Sequence, residues 1–330
     1  MRLKLVCLLS VVLLALPCVA QNGNTPTFTL TQVPDGPSPC IGENRANGVN
    51  QRGDIAGRCK DASGNPRSWL LPKGATTPIL IDFSTAPFNP VGGSTTRAID
   101  GRGDVVGRYF DAAGVSHGYL LSNSVFAVID ANFPGAVDTD ARGVNNPGTV
   151  VGFYDVLTNV PNAGSIPLPH GFMRDTSGTF TAIDFPGAAA STALGISDGG
   201  DIVGSYVVIV DVSTKPPTLA LHSYVLSKGV FATVDVPFAG ATASQAFGIN
   251  EQGEIAGAFT TTPVTLGTLL KEDPVLAHGY LRSADGSTFT QIDFPNAVST
   301  VCRGGINDHG NIVGLFVDSS LAEHGFVTSR

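Results

Sequence analysis

The sequence predicts an all-β fold, a six-bladed β-propeller of four-stranded antiparallel blades closed by the N-terminal strand. Three observations lead there. A repeat of about 50 residues occurs six times, a spacing near that of propeller blades. Turn chemistry recurs at one fixed place in every copy. The repeat blocks are also offset, so that one copy is divided between the two ends of the chain.

The first block reads G-I-N-x-x-G-x-I-V-G and begins at Gly48, Ala98, Gly143, Gly195, Gly248 and Gly305. An apolar strand end meets Asn or a similar polar residue, then a polar turn with glycine, then a second apolar strand. Asn and Gly tolerate the positive φ of tight turns, so the block is a β-hairpin. The second block reads H-G-Y-L and occurs at His117, His170, His222, His278 and His324, with Arg67-Ser68-Trp69-Leu70 in its place in repeat one. The third reads F-x-x-I-D-F-P and begins at Phe126, Phe180, Phe231 and Phe289, with a degenerate copy around Ile81-Asp82-Phe83. Both are short aromatic and β-branched runs bounded by Gly, Ser or Pro, which read as strands. Each repeat therefore supplies four strands, and no segment sustains a helical period.

The sixth H-G-F-V, at His324 to Val327, has no third block after it. The missing copy is Phe28-Thr29-Leu30-Thr31-Gln32-Val33-Pro34, which aligns with Phe180 to Pro186. The N-terminal strand, residues 27–33, is thus expected to complete the last blade. A ring closed this way exposes no sheet edge at its seam.

With these blocks the chain resembles the HAF-repeat extracellular protein family, whose repeat is similar to G-I-N-x-x-G-x-V-V-G followed by H-A-F. The tripeptide here is H-G-Y, H-G-F or, at His222, H-S-Y. The resemblance covers most of the mature chain. It implies export and a β-propeller-like fold; it implies no activity and carries over no catalytic residue.

Residues 1–20 read as a signal peptide: Arg2 and Lys4 precede an apolar run from Leu5 to Leu16, and Cys18-Val19-Ala20 supplies small residues for cleavage. Lipoprotein processing at Cys18 is the rival reading, disfavoured by Pro17. Residues 21–330 then form a single propeller domain, exported to the periplasm or beyond. The full chain carries a net charge of −8, and losing the two cations of the signal makes it −10. That excludes a nucleic-acid partner or an anionic membrane surface as a natural target. No later apolar run is long enough to span a membrane. Of the mature cysteines, Cys40, Cys59 and Cys302, the first two flank the hairpin of repeat one and are the more local pair for a disulfide.

Five of the six histidines occupy one slot of the repeat. A slot repeated once per blade spreads its members around the ring, so they are read as buried structural groups bonded to the Asp of F-x-x-I-D, not as metal ligands. His309, in a turn, is expected to be exposed. The repeated aspartates Asp82, Asp130, Asp184, Asp235 and Asp293 invite a glycosidase reading, but that chemistry needs two carboxyls about 5–10 Å apart, which one per blade does not give. Arg52-Gly53-Asp54 and Arg102-Gly103-Asp104 spell an adhesion tripeptide at turn positions where the other repeats do not keep it. The sequence thus assigns no catalytic, cofactor-binding or metal residue and names no cofactor.

Asymmetry is the better guide to function. Between the G-I-N and H-G-Y strands, repeats three to five carry long connections, Asp155 to Pro169, Val207 to Leu221 and Thr260 to Ala277. They are read as loops gathered on one face, opposite the G-I-N turns, where a ligand would bind. The chain is expected to be a monomer that binds an extracellular polysaccharide or protein without chemistry of its own. The alternative is a propeller hydrolase, lyase or dehydrogenase with active residues converging at one channel mouth.

Overall fold

The computed structural model describes residues 26–215, 217–265 and 276–330. The signal segment and its cleavage site lie outside the described residues. Among those described, every regular element is a strand, and no helix is long and apolar enough to cross a membrane.

Each repeat folds its four strands into one antiparallel sheet, joined in chain order. In repeat two these are Ser94–Ile99, Val105–Phe110, Ser116–Ser122 and Val125–Ile129. Repeats one and three are built alike, although the outer strand of repeat one shrinks to Ile79–Leu80 at its degenerate third block. Repeats four and five keep the same four-stranded order and are joined by a single parallel bridge, Leu221 to Ala243. The last sheet contains Ser299–Val301, Val313–Val317 and Glu323–Ser329, and its fourth strand is Thr29–Gln32 from the other end of the chain. Thr29 pairs with Ser329 and Gln32 with Phe326, as the divided repeat predicts.

The blocks have separable physical roles. The aromatic of H-G-Y is the core anchor: Trp69, Tyr119, Phe172, Tyr224, Tyr280 and Phe326 are all 0% exposed. Each belongs to a different apolar cluster, one per sheet junction. Burying one such ring contributes roughly 1.5–3 kcal/mol. The first glycine of G-I-N exists because neighbouring first strands nearly touch. A Cβ on Gly248 would stand 2.3 Å from the Gly305 Cα, and one on Gly195 2.9 Å from the Gly248 Cα. The turn glycine, such as Gly53 at φ 87°, supplies the left-handed conformation that closes the hairpin.

The polar residue of G-I-N is equally constrained. Asn50, Asn145, Asn250 and Asn307 each accept, through Oδ1, the backbone N–H four residues on. Asn145, Asn250 and Asn307 then donate through Nδ2 to the carbonyls of Ser197, Asn307 and Asn50 in the adjoining repeat. A second set of bonds follows the same course. Gly101 N donates to Asn146 Oδ1, Asn146 N to Asp198 Oδ1, Gly199 N to Glu251 Oε1, Glu251 N to Asp308 Oδ1, and Asp308 N to Gln51 Oε1. Arg52 Nη1 donates to Gly101 O at 2.6 Å. These bonds tie each repeat to the next and repeat six to repeat one. They also account for one adhesion-like tripeptide: Arg52 is held by Asp54 and Gly101. In the other, Arg102 pairs with Asp100 and Asp104.

Two expectations need correction. The connections Asp155 to Pro169 and Val207 to Leu221 are not loops. They are extensions of the hairpin strands, Val150–Val160 with Gly164–Arg174 and Ile202–Asp211 with Thr218–Ser227. Their Val, Ile and Thr residues continue the ladder, and Val160, Leu168, Ala190 and Val207 bury an apolar cluster between the two hairpins. Asn162 Nδ2 donates to Val212 O at 2.6 Å, joining their tips. The third connection, Thr260 to Ala277, lies partly outside the described residues. The second correction concerns the repeated histidines, which are half-buried, not buried: their side chains are between 23% and 38% exposed.

Candidate functional site

The histidines lie on the third strand, at its start in repeats two, five and six and midway along it in repeats three and four, where the hairpin continues beyond them. Four bond through Nδ1 to the aspartate of their own third block: His117 to Asp130, His170 to Asp184, His222 to Asp235 and His278 to Asp293, at 2.9–3.2 Å. Each ring also stacks on an aromatic of the second strand, which in turn stacks on a phenylalanine from the preceding linker. Phe185, Tyr206 and His222 form one such column, with centroids 3.7 and 5.2 Å apart. The bond to Asp184 raises the pKa of His170 above its ordinary value. Repeat one replaces the column. Cys59 takes the tyrosine's place and is bridged to Cys40, while Arg67 takes the histidine's and pairs with Asp61. Asp82 bonds only its own turn, at Ser84. His309 is exposed. Cys302 is a free, fully buried thiol. No group of three or more His, Cys, Asp or Glu among the described residues is placed to hold a metal.

The repeated histidines and aspartates are thus engaged within their own sheets, and the repeated asparagines between adjoining turns. What breaks the symmetry is the lining of the axis. Residues at or just after the first strand of each of the six repeats border one common channel. One slot per repeat faces it, and a second borders the adjoining cavity in repeats two, three and four. The slot just before the G-I-N glycine, or one residue earlier in repeat six, holds Asn47, Arg97, Arg142, Leu194, Phe247 and Arg303. The slot just after I-V-G holds Arg58, Arg108, Phe153, Ser205, Ala258 and Leu315. Repeats one to three therefore furnish an arginine-rich side. Leu194, Phe247, Ala258, Val301 and Leu315 form an apolar cluster on the other.

The arginine side is organised around Asp140, which is 1% exposed. Its Oδ2 lies 2.8 Å from Arg97 Nη2, 3.2 Å from Arg108 Nη1 and 3.3 Å from Arg142 Nε. Arg142 also lies over the Phe153 ring and Arg108 over Phe110. Above them the channel opens into a cavity of about 300 Å³, bordered by Arg108, Arg142, Asp155, Gln245 and Phe247 and by the bases of both long hairpins at Pro169 and Val207. Asp155 stands directly across from Asp138 in the strand register. Burial, then the neighbouring Asp138 and Asp140, push the Asp155 carboxyl up to about 6, against the pull of Arg108 and His170. Asp138 accepts the Ser116 N–H at 2.6 Å. The opposite end of the channel is bordered by the G-I-N turns, with Asp100, Asp198, Glu251 and Asp308.

None of the mouth residues was singled out by the repeat blocks, because they occupy positions where the copies disagree. The signal existed: Arg97 and Arg142 replace Leu194 and Phe247 at an aligned position. Only the register shows that this position faces the axis.

No family model and no curated protein matches the chain. Among solved structures it is similar to a protein described as TolB from Agrobacterium tumefaciens, with a TM-score of 0.53, 12% identity, and coverage of 87% of this chain and 90% of that one. The fold is a β-propeller. Weaker likenesses include Aleuria aurantia lectin in complex with alpha-methyl-L-fucoside (TM-score 0.49, 11% identity, covering 88% and 93%) and Trypanosoma rangeli sialidase (TM-score 0.49, 9% identity, covering 92% and 60%).

Proposed function

We propose that the chain is an exported, monomeric six-bladed propeller, closed through its N-terminal strand, that binds an extracellular glycan at the channel mouth beside the long hairpins. The observation that carries this is the cavity of about 300 Å³, at the low end of the range for ligand pockets of about 300–1,000 Å³. Its wall combines aromatic and proline surface with a few hydroxyl, amide and charged groups. Closure is supported by the turn-to-turn hydrogen bonds that return from repeat six to repeat one. Export is supported by the Cys40–Cys59 bridge, since disulfides persist in oxidising compartments. Membership of the HAF-repeat family accords with the blocks and with the propeller fold. A glycan-binding panel on the mature domain tests the reading. Binding should be lost when residues 157–167 and 209–219 are cut back to the hairpin length of repeat two, with melting still cooperative. Retained affinity in that variant would place the ligand elsewhere.

A second reading, a polysaccharide hydrolase or lyase, is favoured by Asp155. A half-buried carboxyl pushed up to about 6 opposite a second carboxyl is suited to proton transfer near neutral pH. Against it, Asp140 is engaged by three arginines and Asp138 by a backbone N–H. Intact polysaccharide after prolonged incubation, with no new reducing ends and no unsaturated product, would leave the binding reading alone.

A further inference from the structure

The charge of the mouth narrows the ligand. Three guanidinium groups share Asp140. Arg108 and Arg142 continue from it to the cavity surface, while Arg97 is 3% exposed behind them. The carboxylates within electrostatic reach of this trio are Asp140, Asp138 and Asp155. With all three ionised they balance the trio, Arg303 beside Arg97 and Arg142 leaves the mouth cationic, and protonating Asp155 adds one more positive charge. Charges beside low-dielectric walls interact far more strongly than in bulk water, so this difference governs which ligands are admitted. A guanidinium presents a planar fork of donors that matches a carboxylate.

The remaining wall suits a sugar ring. Thr192, Ser205 and Gln245, hydrogen-bonded to one another, present a small polar network to ring hydroxyls, and Pro169 with the edges of Phe153 and Phe247, whose faces lie under Arg142 and Arg303, presents apolar surface to the C–H face. The volume admits one or two rings, not a long segment of polymer.

We propose that the mouth binds a hexuronate unit of an acidic polysaccharide, its carboxylate directed at Arg108 and Arg142, and that Asp155 takes up a proton as the ligand enters. This rests on the binding reading above and adds the chemical class of the ligand. Asp155 faces Asp138 across the first strand and His170 and Pro169 on the third, with Arg108 and Asp140 toward the axis. An ionised Asp155 repels the incoming carboxylate, and a protonated one can donate to it.

The test is calorimetric titration of the full mature protein with a short oligouronide and with the same oligosaccharide after carboxyl reduction. The acidic form should bind at least tenfold more tightly at pH 5.5. Its advantage should shrink several-fold by pH 7.5. Arg142→Gln should abolish the preference. Asp155→Asn should strengthen acidic-sugar binding at pH 7.5 and flatten its pH dependence, a gain that a misfolded variant would not show. Equal binding of both forms, unaffected by Asp155→Asn, would overturn the uronate assignment while leaving a neutral-glycan site. Binding of neither form would overturn both readings.

Discussion

Gln32 Nε2 stands 3.2 Å from His324 Nδ1, although 292 residues separate them in the chain. It occupies the place that Asp130, Asp184, Asp235 and Asp293 hold beside their own histidines. The ladder from Thr29 to Gln32 fixes that register, and Val33 next to it is 1% exposed in the core of the first sheet. One short segment therefore both finishes the last sheet and packs into the first.

Deleting residues 26–34 is expected to destabilise the whole domain by at least about 3 kcal/mol, from the burial of Val33 and the loss of the edge ladder. Calorimetry should show one transition at lower temperature. An unchanged melting temperature would mean that the last sheet stands without its fourth strand.

Gly248→Ala is expected to cost on the order of 1–3 kcal/mol or more. The new methyl would meet the Gly305 Cα at 2.3 Å, in backbone that cannot yield as a side chain can. The control is Gly64→Ala, where no atom lies within 4 Å but φ is +80°, so that any loss there measures backbone strain alone. Denaturant midpoints for the two variants separate crowding at the axis from turn geometry.

The raised pKa of Asp155 implies a stability that varies with pH. Its folded value, about 6, lies above the ordinary 3.8. The stabilisation relative to the ionised form is therefore fully present below about pH 4 and is lost as pH rises through about 6. Asp155→Asn should raise the melting temperature above pH 7 by on the order of a few degrees. It should give little gain at pH 4. An equal gain at both pH values would mean that the ionised carboxylate is not the destabilising species.

Reducing the Cys40–Cys59 bridge, or replacing both cysteines by serine, is expected to cost about 2–4 kcal/mol. In repeat one the bridge stands where other repeats stack a linker phenylalanine on a tyrosine or phenylalanine, so hydrogen exchange should quicken first around residues 34–45 and 55–60. Uniform quickening over all six repeats would show the bridge to be a global brace, not a local one.

The fold was legible because its determinants are repeated. Gly248, Asn250 and His278 each mean little singly, but their recurrence gives turn, strand and register together, and the displaced Phe28 to Pro34 motif gives the seam. The site was not legible for the same reason. Arg97, Arg108, Arg142 and Asp155 lie between the blocks, and only strand pairing shows which unmatched positions meet at the axis. The length of the connections suggests loops, but their content does not. Val207-Val208-Ile209-Val210 has the β-branched density of a strand, and that density decided the outcome.

The shared last sheet also sets an order of events during biosynthesis. Thr29 to Gln32 is made well before Phe326 to Ser329, the strand it pairs with. Until Phe326 to Ser329 have been made, that segment has no partner, and the apolar side chain of Val33 must wait in solvent or in the grip of a chaperone. Repeats two to five can assemble as they appear. The first and last cannot be completed until the two ends meet, so a chain cut short by premature termination is left with an unpaired strand at one end, open to proteases and to other chains.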